Sequence, residues 1–139
     1  MKKNKFFVLL VIGVFAFSLL TVFVYNRLTI YKIMEIGTKV KIGDHIGLNA
    51  DSDSLNFGTL LPNTEGIKSI TITNQEDYPM EIIISNSGQI EHWIQISDNN
   101  FILDSGKNKS VTFTVTPSTK EIGSYNGIVM VVFKRVFFS

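Results

Sequence analysis

The sequence predicts an all-β domain, an antiparallel sandwich of about seven strands, preceded by one N-terminal transmembrane helix. Three observations carry this reading. Residues 6–25, FFVLLVIGVFAFSLLTVFVY, form an uninterrupted run without a charge. From Thr38 onward, short apolar runs recur at roughly ten-residue spacing between turn-forming residues, which is the pattern of strands and not of helices. The segment SVTFTVT at 110–116 alternates strictly, with Val111, Phe113 and Val115 on one face and Thr112, Thr114 and Thr116 on the other. Such alternation marks a strand with one buried and one solvated face in an antiparallel sheet.

The apolar run comes first in the chain. At about 1.5 Å rise per residue, a helix over 6–25 matches a hydrocarbon layer of roughly 30 Å. Ser18 and Thr21 are its polar interruptions. Lys2, Lys3 and Lys5 precede it and Arg27 and Lys32 follow, a bias that places the N-terminus in the cytoplasm and the remainder outside. A competing reading is a cleaved signal peptide with Ala16-Phe17-Ser18 as a weak cleavage site. Continuation of the apolar run through Leu19 to Tyr25 favours a retained anchor. The predicted layout is a cytoplasmic N-terminus at 1–5, a helix at 6–25, a juxtamembrane stalk at 26–36 and the sandwich at 37–139. The stalk rests on Leu28, Tyr31, Ile33, Met34 and Ile36, which suit two or three further helical turns or a short spacer.

Composition excludes several function classes. The chain has net charge +1, but from Gly37 on it holds 8 basic against 11 acidic residues, so the domain has no electrostatic footprint for nucleic acid. There is no cysteine, which removes disulfides, thiolate metal sites and cysteine nucleophiles. The core must hold the fold alone. The mean hydropathy of +0.22 mixes a membrane segment with an ordinary soluble domain.

Along the domain, Val40, Ile42, Ile46 and Leu48 alternate around a Gly43-Asp44 break. IKSITIT at 67–73 sets Lys68, Ile70 and Ile72 against Ser69, Thr71 and Thr73. MEIIIS at 80–85 follows the turn NQEDYP. Short segments are predicted at 93–97 and 101–103, and DSGKNK forms a turn before the alternating strand, which Pro117 ends because proline has no N–H for the ladder. The last run, from Tyr125 onward, is too continuously apolar for one wholly solvated face. Strand count leaves a barrel as the alternative to the sandwich.

The series Leu55-Asn56-Phe57-Gly58, Gly66, Ile70 to Asn74, Trp93-Ile94, Phe101 to Leu103, Gly106, Val111 to Pro117 and Gly123-Ser124-Tyr125-Asn126-Gly127 resembles prokaryotic immunoglobulin-like domains of surface proteins. It is similar in pattern to domains grouped with the major sperm protein and to G-x-Y-x-G modules. The resemblance implies a sandwich used for attachment, spacing or assembly, without a catalytic site. It also implies structural roles for Tyr125, Gly123, Gly127, Trp93, Phe57 and Phe113. Tyr125 would return its hydroxyl to an upstream backbone group through a buried hydrogen bond. Gly127, where antibody domains place a cysteine, would lie beneath the ring of Trp93 or Tyr125.

Candidate chemistry is sparse. Asp44-His45 and Glu91-His92 would have to meet from opposite ends of the domain to hold a metal, and no H-x-x-x-H spacing supports this. Asp51-Ser52-Asp53-Ser54 opens like a calcium loop but places Asn56 and Pro62 where Gly and Glu are needed. Glu91 and Asp104 are an acid–base pair any β domain contains by chance. No phosphate-binding or nucleophile-elbow motif occurs, so neither an enzyme, a cofactor nor a small-molecule substrate is expected. Asn108-Lys109-Ser110 is a glycosylation sequon in a predicted turn. Val136, Phe137 and Phe138 are candidate partner contacts: they follow a strand with no turn or partner after it, and could fold back on 39–48, touch the bilayer or add to a partner's sheet. The expected function is a membrane-anchored structural or interaction module at the cell surface, binding a protein, a glycan or its own copies. The alternative is an accessory subunit of a membrane-bound enzyme or transporter.

Overall fold

The computed structural model describes residues 2–43 and 54–137. Helix α1 (Lys2–Thr29) opens the chain. Its side chains from Lys5 to Leu28 lie exposed around the whole circumference, and a helix apolar on every side finds a suitable environment in a protein core or in lipid. Residues 5–29 are long and apolar enough to cross a membrane, and from Lys5 to Leu28 none of them is buried within the protein. Ser18 and Thr21 donate their hydroxyls to the carbonyls of Phe15 and Phe17, each at 2.9 Å, which satisfies them without water.

The stalk is absent. Thr29 closes α1 by donating to the Tyr25 carbonyl at 2.7 Å, and the next residue begins strand β1 (Ile30–Ile42). The apolar positions of 26–36 fit a period of 3.6 and a period of 2 equally well over so short a stretch. The period of 2 wins because Met34, Ile36, Thr38, Val40 and Ile42 continue one inward face. The β domain thus starts at residue 30, not 37, directly at the end of the helix.

The remaining strands are β2 (Leu55–Leu60), β3 (Gly66–Thr73), β4 (Met80–Gly88), β5 (Ile94–Ile96), β6 (Phe101–Leu103), β7 (Asn108–Val115) and β8 (Gly123–Arg135), with a 3-10 turn at Glu91–Trp93 before β5. They form a five-stranded sheet ordered β2-β1-β8-β4-β6 and a three-stranded sheet ordered β3-β7-β5. Eight strands are therefore described where about seven were expected. The pairing is not wholly antiparallel either, because β2 runs parallel to β1 from Thr38↔Leu55 to Ile42↔Leu60. The second half of the predicted strand at 39–48 lies outside the described residues.

The last apolar run has partners on both edges, which corrects the expectation of an open strand. β8 pairs antiparallel with β1 from Ile30↔Lys134 to Ile42↔Gly123 and with β4 from Met80↔Arg135 to Gly88↔Gly127. Its inward residues Val129, Val131 and Phe133 are buried. Its outward residue Val132 is half-buried, with Ile33 and Ile83 level with it on the adjoining strands. The outer face is only partly covered, with Met130 and Val132 half-buried and Ile128 exposed.

The two sheets share one core. Val40, Ile82, Ile84, Val129 and Val131 from the larger sheet meet Ile72, Val111, Phe113 and Val115 from the smaller one. Phe113 is fully buried and Phe57 nearly so. The alternation read in 110–116 and 67–73 matches the observed faces, with Ile72 buried beside exposed Thr71 and Thr73.

Two asparagines replace missing ladder. Asn99 accepts from the Ile84 amide and donates to the Ile84 carbonyl, both at 2.7 Å, so its amide group stands in for a strand beside β4 just past β6. Asn74 is 1% exposed. Its side-chain nitrogen donates to the carbonyls of Tyr78 and Leu103 at 2.8 and 2.9 Å, while its oxygen accepts from the Glu76 amide. It ties the β3–β4 turn to the end of β6.

Asn74→Ala strips partners from buried carbonyls and is expected to destabilise the domain by about 3 kcal/mol, at the upper end for a buried unpaired group. Denaturant unfolding of the full chain in detergent checks this, with Asn108→Ala, on the surface, expected to stay within about 0.5 kcal/mol of the parent.

Candidate interaction surface

The described residues that hinted at chemistry are not gathered into a site. His92 and Glu91 are exposed on the 3-10 turn, and Asp104 is exposed after β6. Among the described residues no three His, Cys, Asp or Glu side chains cluster as metal ligands. Asp44, His45 and Asp51 to Asp53 lie outside the described residues. Asn108 is exposed but opens β7, paired with Thr73, instead of lying in a turn. The Asp98 carboxylate accepts from Lys109 at 2.9 Å, and that bond holds it below the usual carboxylate range.

The corner at Tyr125 forms from local chain reversal. Tyr125 donates its hydroxyl to the Glu121 carbonyl at 3.1 Å, and its ring meets Trp93 edge-on at 5.0 Å. Trp93 in turn donates from Nε1 to Ser118 Oγ at 2.9 Å. Both hydroxyl and indole bonds face solvent, whereas the sequence suggested a buried one. Gly127 does not lie beneath either ring. A Cβ there would fall 2.8 Å from Ile90 Cγ1 and 2.8 Å from the Ser87 carbonyl, while one on Gly88, at φ +101°, would meet the Gly127 Cα. Gly127 is small because it faces Gly88 across the ladder and Ile90 packs over it. Gly123 sits in ordinary contact with the Tyr125 ring, its Cβ position 3.5 Å from Cε2.

The end of the chain is partly tethered. The Val136 amide donates to the Pro79 carbonyl at 3.4 Å, and Phe137 is 52% exposed. Phe138 lies outside the described residues.

A feature absent from the sequence reading runs along the side of the domain, between β1 and β3. Two adjoining cavities of about 300 and 420 Å³ share Met34 and Thr71 in their walls. Apolar side chains from both sheets line them: Met34, Ile36, Ile70, Ile72, Met80 and Phe133. One end is closed by Tyr31, whose hydroxyl donates to Glu76 Oε1 at 2.6 Å. That bond to a carboxylate, and the negative charge itself, push the Tyr31 hydroxyl above its ordinary range. Arg135 lies over the rings of Tyr31 and Tyr78, 5.2 and 5.1 Å from their centroids, and steadies this end. Beyond the other end, Gly66 packs tightly under Leu60 and Phe57, bringing β2 against β3. The available signal was the continued alternation of Met34 and Ile36 into Val40, which marks them as strand residues facing inward.

Compared with known protein families, curated proteins and solved structures, the chain matches none.

Because the Tyr125 bond is solvent-exposed, Tyr125→Phe is expected to cost less than about 1 kcal/mol. Gly127→Ala must displace Ile90 or the Ser87 backbone and is expected to cost about 1–3 kcal/mol, the range for overpacking. Unfolding midpoints of the two variants in detergent check the order, and a larger loss for Tyr125→Phe would contradict it.

Proposed function

We propose that this chain is a single-pass membrane protein with a cytoplasmic N-terminus. Its β domain, an immunoglobulin-like sandwich, stands on the extracytoplasmic face and serves as a structural or interaction module. The observation that carries the reading is the junction at Thr29–Ile30. An apolar helix with no buried face passes without a linker into a strand paired along its length, so whatever holds the helix holds the domain close against it. Three lysines ahead of the apolar run favour the cytoplasm for the N-terminus. The immunoglobulin-like assignment rests on the two packed sheets that share one core, since the Tyr125 hydroxyl bond is exposed where the resemblance implied a buried one. The groove mixes apolar side chains with Lys32, Glu35 and Glu76, and among the described residues no metal-ligand cluster accompanies it, which suits binding of chain segments better than catalysis.

The absence of cysteine makes the topology directly testable. A Lys120→Cys variant should react with a membrane-impermeant maleimide in spheroplasts, whereas Lys5→Cys should react only after permeabilisation. The reverse pattern would overturn the orientation. A mature chain found in the soluble fraction and beginning at Leu19 would overturn the anchor.

A further inference from the structure

The direct passage from α1 into β1 builds a cleft at the junction. Its volume is about 300 Å³, and Phe23, Asn26, Arg27, Ile30 and Ile33 line it. Phe23, Asn26 and Arg27 stand at i, i+3 and i+4 and so share one face of the last helical turns. Ile30 and Ile33 supply the facing wall from the start of β1. Both are large apolar residues left 39% and 50% exposed, and β8 brings Lys134 level with Ile30 and Val132 level with Ile33.

The cleft changes character along its depth. With residues 6–25 spanning roughly 30 Å of hydrocarbon, Phe23 lies about 3 Å below the boundary and Arg27 about 3 Å above it. One end is therefore at acyl-chain depth, and Asn26 and Arg27 are at headgroup depth. Tyr25 and Tyr31, both exposed, belong to a residue type that collects at this level of a bilayer.

Charge narrows the occupant. The Arg27 guanidinium lies over the Phe23 ring, 5.7 Å from its centroid, and makes no ion pair among the described residues. No carboxylate belongs to the described residues lining the cleft. Glu81, opposite Lys134, and Glu35, two residues beyond Ile33, stand outside it. A phosphodiester thus meets a guanidinium suited to it, whereas the ammonium of a zwitterionic headgroup finds no partner.

We propose that this cleft holds one anionic phospholipid of the surrounding leaflet, with its phosphate on Arg27 and the start of an acyl chain against Phe23, Ile30 and Ile33. This deepens the reading of the chain as membrane-anchored and rests on it. Once α1 spans a bilayer, lipid is the medium already in contact with Phe23, so place and chemistry select the same occupant. Seated there, the lipid braces the helix against β1 at a junction that has no linker.

Native mass spectrometry of the full chain, purified in detergent and titrated with phosphatidylglycerol or phosphatidylcholine, tests this. One phosphatidylglycerol should be retained per chain, at least fivefold more than phosphatidylcholine at equal concentration. Arg27→Gln should lower that adduct at least fivefold and Ile33→Asn should lower it as well, whereas Lys120→Gln, between β7 and β8, should leave it unchanged. Trp93 emission checks the fold of each variant, and if Ile33→Asn fails to accumulate, Arg27→Gln alone decides. Equal retention of the two lipids, or an adduct that survives either cleft substitution, would overturn the proposal. So would displacement by soluble glycerol phosphate, which marks a free phosphate site with no need of the acyl chain. Flotation of native membranes separates the two levels: a chain that floats yet retains no phosphatidylglycerol sinks the cleft assignment alone, and a chain left in the soluble fraction sinks the anchored reading beneath it.

Discussion

Pairing of β8 on both of its edges is the constraint from which the rest of the structure follows. One long strand of thirteen residues receives β1 on one side and β4 on the other, and so joins the first strand of the domain to its last. Backbone groups that must find partners when buried find them here, against β1 from Gly123 to Lys134 and against β4 from Gly127 to Arg135. The inward row Val129, Val131 and Phe133 then fixes where the second sheet packs, since Val111, Phe113 and Val115 of β7 belong to the same core. This non-local closure spans nearly the whole β domain and carries the corresponding loop-closure cost, and the continuous apolar character of the strand is what offsets it.

The same pairing explains how the helix and domain are joined. β1 is held by β8 almost from its first residue, so strand geometry is imposed immediately after Thr29 and leaves no room for a spacer. Tyr31, Glu76, Tyr78 and Arg135 brace this end through one hydrogen bond and a guanidinium shared between two rings. The mismatch between a thirteen-residue β1 and a six-residue β2 leaves residues 30–37 of one edge without a strand partner among the described residues. The groove is thus a product of unequal strand lengths, not of any local motif.

Much of the architecture was legible where the pattern was local. The charge-free run announced a helix suited to lipid, and the strict alternation of 110–116 gave both a strand and its buried face. The stalk was misread because eleven residues with scattered apolar side chains satisfy helical and strand periodicities alike, and only the distant partner at 123–135 decides between them. The parallel β1–β2 pair could not be read either, since strand direction depends on how the connection returns. Tyr125 and Gly127 show the same division. Their spacing pointed to a corner and a close approach, but burial of the hydroxyl and the identity of Ile90 as the neighbour depend on packing that spacing does not encode. Of the groove, Met34 and Ile36 were visible as apolar positions, but their facing Ile70 across an open gap was not.

Amide hydrogen exchange along β1 in the full chain tests this account most directly. Strand pairing to β8 on one edge, with no partner on the other among the described residues, should protect every second amide through residues 30–37, with near-complete protection over 38–42, where β2 adds the second ladder. Uniformly fast exchange across 30–37, with protection beginning only near Thr38, would show a stalk in place of a strand and would contradict it.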